Sequence, residues 1–180
     1  MWGQLIKRYW QVSIFKETPA HTPYSIFLLS LIAVFFLCLI IFQWIIADND
    51  QSFSIGSAIE TAVALLFSYG LYTAALLLAY RLPSRIVQTL TCILAGHAIV
   101  HLCAFPLLVV TPWISSVNLV QPFNFLLGIL YILLTLILTV WQFMVTVHIY
   151  KHSLMIHYFP AVLASIGLVA SNILIVSLGR

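Results

Sequence analysis

Two long apolar runs, residues 55–80 and 86–110, are separated only by the turn Arg81-Leu82-Pro83-Ser84-Arg85. Each is long enough to cross a bilayer as a helix, which takes about 20 apolar residues. A turn this short makes the pair a helical hairpin with its basic corner on one side of the membrane. Together the two runs hold Glu60, the only acid that falls inside an apolar run, and the histidines His97 and His101. Composition extends the argument to the whole chain. Of 180 residues, 63% are hydrophobic and 6% charged, against about 25% charged in an ordinary soluble domain. So few charges cannot keep so much apolar surface in water. The expectation is an all-α integral membrane protein.

Taken in order, residues 1–23 form an N-terminal segment and residues 24–180 a single transmembrane domain. Within the first 17 residues, Trp2, Leu5, Ile6, Tyr9 and Trp10 share one broad helical side, interrupted by Gln4, Lys7, Arg8 and Gln11. Aromatics mixed with bases on a short amphipathic helix suit the headgroup layer. Packing on the protein's own cytoplasmic face is the competing reading. Thr18-Pro19 and Thr22-Pro23 then hold the chain extended. Spans are expected at about 25–47, 55–80, 86–110, 123–150 and 156–178. The first has too long an apolar core for a cleavable signal sequence, whose core is about 7–15 residues. Pro106 predicts a kink in the third span near His101 and Leu102, and Pro112 and Trp113 open an uncharged loop over 111–121.

Orientation follows from the bases. Lys7, Arg8 and Lys16 precede the first span, Arg81 and Arg85 join the second to the third, and Lys151 joins the fourth to the fifth. Short loops rich in Lys and Arg stay in the cytoplasm, so the N-terminus is expected inside and the C-terminus outside. The opposite side holds Asp48, Asp50 and the terminal Arg180. A bacterial inner membrane is the expected location. The net charge of +3 is spread over loops rather than gathered in a patch, which argues against nucleic acid. Cys38, Cys92 and Cys103 all lie within apolar runs, at no metal-site spacing, and read as small packing residues.

Five side chains are candidates for more than packing. At about 1.5 Å of rise per residue, Glu60, His101, Gln43 and Asn172 fall in the outer half of four different spans, with His97 one turn deeper than His101. Isolated polar groups there are costly, so they should face inward and pair. One reading is interhelical hydrogen bonding that fixes packing, worth roughly 0.6–2 kcal/mol per contact. Another is a proton relay, cation site or ligand pocket, with Glu60 as acid or base and His101 its partner. A metal held by His97, His101 and Glu60 would lack a fourth ligand. Packing is the commonest of the three roles. His148, His152 and His157 gather at the inner ends of the last two spans, where a pH-sensitive cluster competes with simple solvation. Two small-residue stripes, Ser57, Thr61, Ala64 and Ser68 in the second span and Ala164, Gly167 and Ser171 in the fifth, allow close backbone approach. Catalytic motifs, phosphate-cradling glycine loops and a haem-binding histidine pair are not evident; neither cofactor nor metal is expected.

The basic turn Arg81-Leu82-Pro83-Ser84-Arg85 leading into the third span, and the run from Trp141 to His152 leading into the last, sit in a chain of five tightly spaced spans with minimal loops. Over residues 20–178 this layout resembles the small five-span membrane proteins of the Yip family, including their bacterial relatives. Where the eukaryotic family has an acidic, glycine-proline signature, this chain has the TPAHTP stretch. The resemblance implies a membrane-organising scaffold without characterised chemistry. The expected function is therefore a non-enzymatic scaffold or interaction partner for other membrane proteins, for lipids or for further copies of itself. The alternatives are a small transporter or proton-coupled channel component built on Glu60 and His101, and an accessory subunit of a larger secretion or respiratory complex.

Overall fold

The computed structural model describes residues 2–47, 55–116 and 121–178. Long stretches of Leu, Ile, Val, Phe and Ala satisfy their backbone groups internally, and the result is six α-helices with no strand among the described residues. They are α1 (Trp2–Ser13), α2 (Ile26–Ala47), α3 (Ile55–Ala79), α4 (Ile86–Ser116), α5 (Pro122–Leu154) and α6 (Tyr158–Leu178). The last five are each long and apolar enough to cross a membrane, and the chain is a multi-pass membrane protein. The polar turn expected at 48–51 and the C-terminal Arg180 lie outside the described residues.

Helix ends follow local chemistry. Phe15, Arg81 and Met155, just past α1, α3 and α5, adopt the left-handed conformation, which turns the last carbonyls back onto the chain. At Met155 the backbone N–H caps the Lys151 carbonyl. The third span differs from the sequence expectation. Instead of ending at residue 110, α4 continues through Pro112 to Ser116, so the loop expected over 111–121 is helical for half its length. A proline removes only one backbone donor, and neighbouring helices can support the turn it loosens. Here Thr111 donates to the Leu107 carbonyl at 3.0 Å and meets the Tyr131 hydroxyl of α5 at 2.9 Å.

The five long helices form a ring in the order α2, α4, α5, α6, α3 and back to α2, with α3 also touching α4 across its centre. We use base for the end where α2, α4 and α6 begin and α3 and α5 end, and top for the other. The base is solid. Leu77, Ile93, Leu94, Ile149 and Tyr150 are fully buried there, and the Tyr150 hydroxyl meets Thr73 of α3 at 3.0 Å. Arg85 at the start of α4 donates to the Ser153 carbonyl at 3.1 Å, closing the end of α5. Toward the top the ring is not filled.

The N-terminal segment packs on the bundle. Tyr9, Val12 and Ser13 are buried against α4 and α5, so the buried side of α1 centres on these residues and Leu5. Ile6 and Trp10, assigned to the same side from the sequence, are 68% and 43% exposed. Gly96 makes this fit possible: a Cβ there would stand 2.9 Å from Val145 and 3.5 Å from the Ser13 hydroxyl. Trp141 donates its indole N–H to the Ser13 carbonyl at 2.8 Å. The chain then returns along α4. His148 Nε2 donates to the Glu17 carbonyl at 2.9 Å, Thr22 lies 3.3 Å from Cys92, and Gln88 donates to the Thr22 carbonyl. Burial raises the proton affinity of the Tyr9 phenol, whose hydroxyl has no hydrogen-bond partner among the described residues.

Candidate functional site

All five ring helices contribute to one cavity of about 700 Å³ in the upper half of the bundle. Its walls include Ile40 and Trp44 of α2, Leu65 of α3, Phe143 of α5 and Leu168 and Val176 of α6. Its polar side chains include Gln43, Tyr69, His97, His101, Gln142, Thr146 and Asn172, with Thr139 and Ser177 nearer the exposed side and the indole of Trp44 on α2. Among the described residues, no Asp, Glu, Lys or Arg lines it. The exposed lining residues show where it opens. Thr139 and Val140 belong to α5, Val169, Ile173 and Ser177 to α6, while the lining residues of α2, α3 and α4 are buried or half-buried. The mouth therefore faces sideways, between α5 and α6.

His97 anchors the floor and is almost completely buried. Its Nε2 stands 2.8 Å from the Thr146 hydroxyl, which spends its own proton on the Gln142 carbonyl at 3.0 Å. Thr146 must then accept, so Nε2 carries the ring proton and Nδ1 is the acceptor. The Tyr69 hydroxyl donates to that Nδ1 at 2.7 Å, and the Gln142 amide nitrogen approaches it at 3.1 Å. A neutral histidine thereby ties α3, α4 and α5 together at one point. Such ties are valuable where no water can replace them.

His101, one turn higher, has the opposite tautomer. The Gln43 amide nitrogen donates to the His101 main-chain carbonyl at 2.8 Å, which sets the amide's orientation. Its oxygen then faces the ring, and His101 Nδ1 must donate to it at 2.8 Å. Pro106 follows five residues on in the same helix. A proline at that position removes the bond to the Leu102 carbonyl and loosens the turn containing His101. A glutamine from α2 steadies that turn from outside the helix. Asn172 of α6 accepts from Ser68 of α3 at 3.1 Å, beside the contact between Ser68 and Ser171 at 3.2 Å.

Of the five polar candidates, the structure brings Gln43, His97, His101 and Asn172 to one cavity and leaves Glu60 out. The expected inward face of Glu60, and its meeting with His101, are corrected. Glu60 is exposed on α3, on the same stripe as Phe67 and Leu71. It sits in the second turn of the helix, near the span's end, where a carboxylate reaches the polar boundary and complements the helix N-terminus. Ala64 is also exposed, four residues on. The buried seam of α3 instead runs through Ala58, Thr61, Ala62, Leu65, Ser68 and Tyr69, with Ser57 half-buried. The stripe on α6 faces α3, whose Tyr72 ring is seated on it. Tyr72 donates to the Ala164 carbonyl at 2.8 Å and lies directly on Gly167. The rings of His148 and His152 meet at 4.4 Å between centroids with their planes tilted by 55°, and His157 is exposed. Among the described residues no group of three or more His, Cys, Asp or Glu could hold a metal ion.

Reading the sequence missed Tyr69, Gln142 and Thr146. Gln142 carried the same signal as Gln43, an amide in the middle of an apolar run. Tyr69 and Thr146 carry no such mark, since both residue types are ordinary in membrane helices.

One prediction follows for Glu60. Glu60→Gln should leave the thermal stability in detergent unchanged to within about 0.5 kcal/mol, as expected of a surface substitution away from buried features. A loss of several degrees in a melting scan would place the carboxylate in the packed interior after all. Comparison of the chain with protein-family models, with curated proteins and with solved structures finds no match.

Proposed function

We propose that this protein is a non-enzymatic membrane protein that holds a lipid in its central cavity and acts as a scaffold or interaction partner in the bilayer. The observation carrying this reading is the sideways mouth between α5 and α6, leading to a chamber whose described lining residues are uncharged and mainly apolar. A solute arriving from water would meet an opening at a helix end; a molecule already dissolved in lipid meets one in the wall. The volume is within the range of about 300–1,000 Å³ typical of small-molecule sites. The five-span layout that resembles the Yip family, with its membrane-organising role, agrees with this reading. A transporter built on Glu60 and His101 is disfavoured, because the two side chains do not share the cavity.

In this reading the base faces the cytoplasm of a bacterial inner membrane, because it carries Arg81, Arg85 and Lys151 at helix ends. The N-terminus is then inside and the C-terminus outside. The exposed side of α1, with Ile6, Lys7, Arg8 and Trp10, lies along the headgroup layer. The test is to purify the full chain from native membranes in mild detergent and identify the lipids that remain. One lipid class should be enriched over the bulk membrane. Val169→Trp, which narrows the mouth, should deplete it while the melting temperature holds. Lipids matching the bulk composition in both proteins would end the proposal.

A further inference from the structure

The hydrogen bonds around His101 leave one atom without a role. Its Nδ1 proton goes to Gln43 and its carbonyl accepts from the same side chain. The ring is neutral in this arrangement, so Nε2 bears a lone pair. Among the described residues no group donates to it, and the side chain lines the cavity beside Gln43 and Trp44. His101 is half-buried on the cavity wall, and an acceptor left without a donor where water is excluded is unfavourable by about 1–3 kcal/mol. The complement to this nitrogen is a donor carried into the chamber by an apolar body.

The surroundings narrow what that donor is. With no base among the described lining residues, a phosphate or carboxylate head would enter as an uncompensated anion. With no acid there, an ammonium head would be equally unpaired. Charges in so apolar a setting are strongly disfavoured, which leaves a neutral hydroxyl. We infer that the cavity binds a neutral lipid alcohol, an apolar chain whose hydroxyl donates to Nε2 of His101. This rests on the lipid-binding reading and adds the chemical class of the head. The hydrocarbon part lies against Ile40, Leu65, Phe143 and Leu168 and leaves toward the mouth between α5 and α6. Glycerolipid alcohols and isoprenoid alcohols share this chemistry.

The experiment uses the full chain in mild detergent with two probe sets, one per source. Dioctanoylglycerol and geranylgeraniol are each compared with their acetate and with their phosphate monoester by native mass spectrometry and equilibrium dialysis. At least one alcohol should bind about 10-fold more tightly than its acetate, equivalent to about 1.4 kcal/mol, and its phosphate should bind more weakly still. The better alcohol identifies the source. His101→Phe keeps a ring but removes the acceptor; it should erase the preference for alcohol over acetate and leave acetate binding unchanged. The wild-type comparison stands by itself if that variant does not fold. Equal binding of alcohol and acetate, or tighter binding of a phosphate, overturns the assignment of the head while leaving a lipid site in place. If no probe of either set binds, the lipid-binding reading falls with it.

Discussion

Gly167→Ala should lower the melting temperature of the detergent-solubilised protein by about 10 °C, and Tyr72→Leu should remove most of that penalty. The reason is the crossing of α3 and α6. A Cβ on Gly167 would overlap the Tyr72 hydroxyl oxygen and stand 2.9 Å from Cζ of the same ring. Tyr72 cannot simply swing away, because its hydroxyl donates to the Ala164 carbonyl one turn below at 2.8 Å. The extra methyl either separates the helices or expels the ring. Overpacking of this kind costs about 1–3 kcal/mol, and the lost hydrogen bond adds about 0.5–1.5 kcal/mol. At about 2–4 °C per kcal/mol for a chain of this size, the sum gives the stated shift. Tyr72→Leu alone gives up the hydrogen bond and some packing but clears the space, so adding Gly167→Ala to it should change little. A double variant as unstable as the sum of the singles would mean that Gly167 is required for something other than the ring of Tyr72. The native-gel migration of whatever folds should be unchanged, because the small face of α6 is already occupied by α3.

That stripe shows what could be read before any coordinates. Ala164, Gly167 and Ser171 announce a close helix contact by size and spacing alone, whereas the partner helix is a matter of tertiary arrangement. The same division applies elsewhere. Five spans were legible because about 20 apolar residues in a row have few alternatives. The upper end of α4 was not, because Pro112 looks like a terminator and the contact that supports the turn, Thr111 with Tyr131, joins residues from two helices. Depth along a helix was legible from residue count, so Gln43, His101 and Asn172 were placed at a shared level. Azimuth was harder. Glu60 and Ala64 lie about one residue's rotation from the buried seam, and a stripe drawn with heptad spacing slides off a helix of 3.6 residues per turn. The order of helices around the ring, and so the position of the mouth, has no signature in one sequence.

His97→Leu should be the most damaging substitution in the cavity, lowering stability by about 2–3 kcal/mol, and Tyr69→Phe should partly rescue it. Leucine is close to histidine in bulk, so the packing change is small and the loss is polar. Without the ring, the Tyr69 hydroxyl and the Gln142 amide lose their shared acceptor, at 2.7 Å and 3.1 Å in the native protein. Thr146 keeps its bond to the Gln142 carbonyl and loses only a donor. Gln142 and Tyr69 both line the cavity, but Gln142 has a flexible chain that can turn, whereas the buried Tyr69 has a single proton that loses its acceptor at 2.7 Å. One stranded donor of this kind costs about 1–3 kcal/mol. Removing it as well, in the double variant, should return about half of the loss, so the two substitutions should show a coupling energy above about 0.5 kcal/mol. Additive effects would mean that Tyr69 and His97 do not form the bond that joins α3 to α4. The same cycle bears on the cavity, because His97 holds its floor and His101 its upper wall. Stability should follow the lower histidine, and selection of a hydroxyl should follow the upper one. A fold that keeps one neutral histidine fully bonded and, among the described residues, leaves the next with an unused lone pair, four residues apart on one helix, separates the residue that holds the bundle from the residue proposed to meet a ligand.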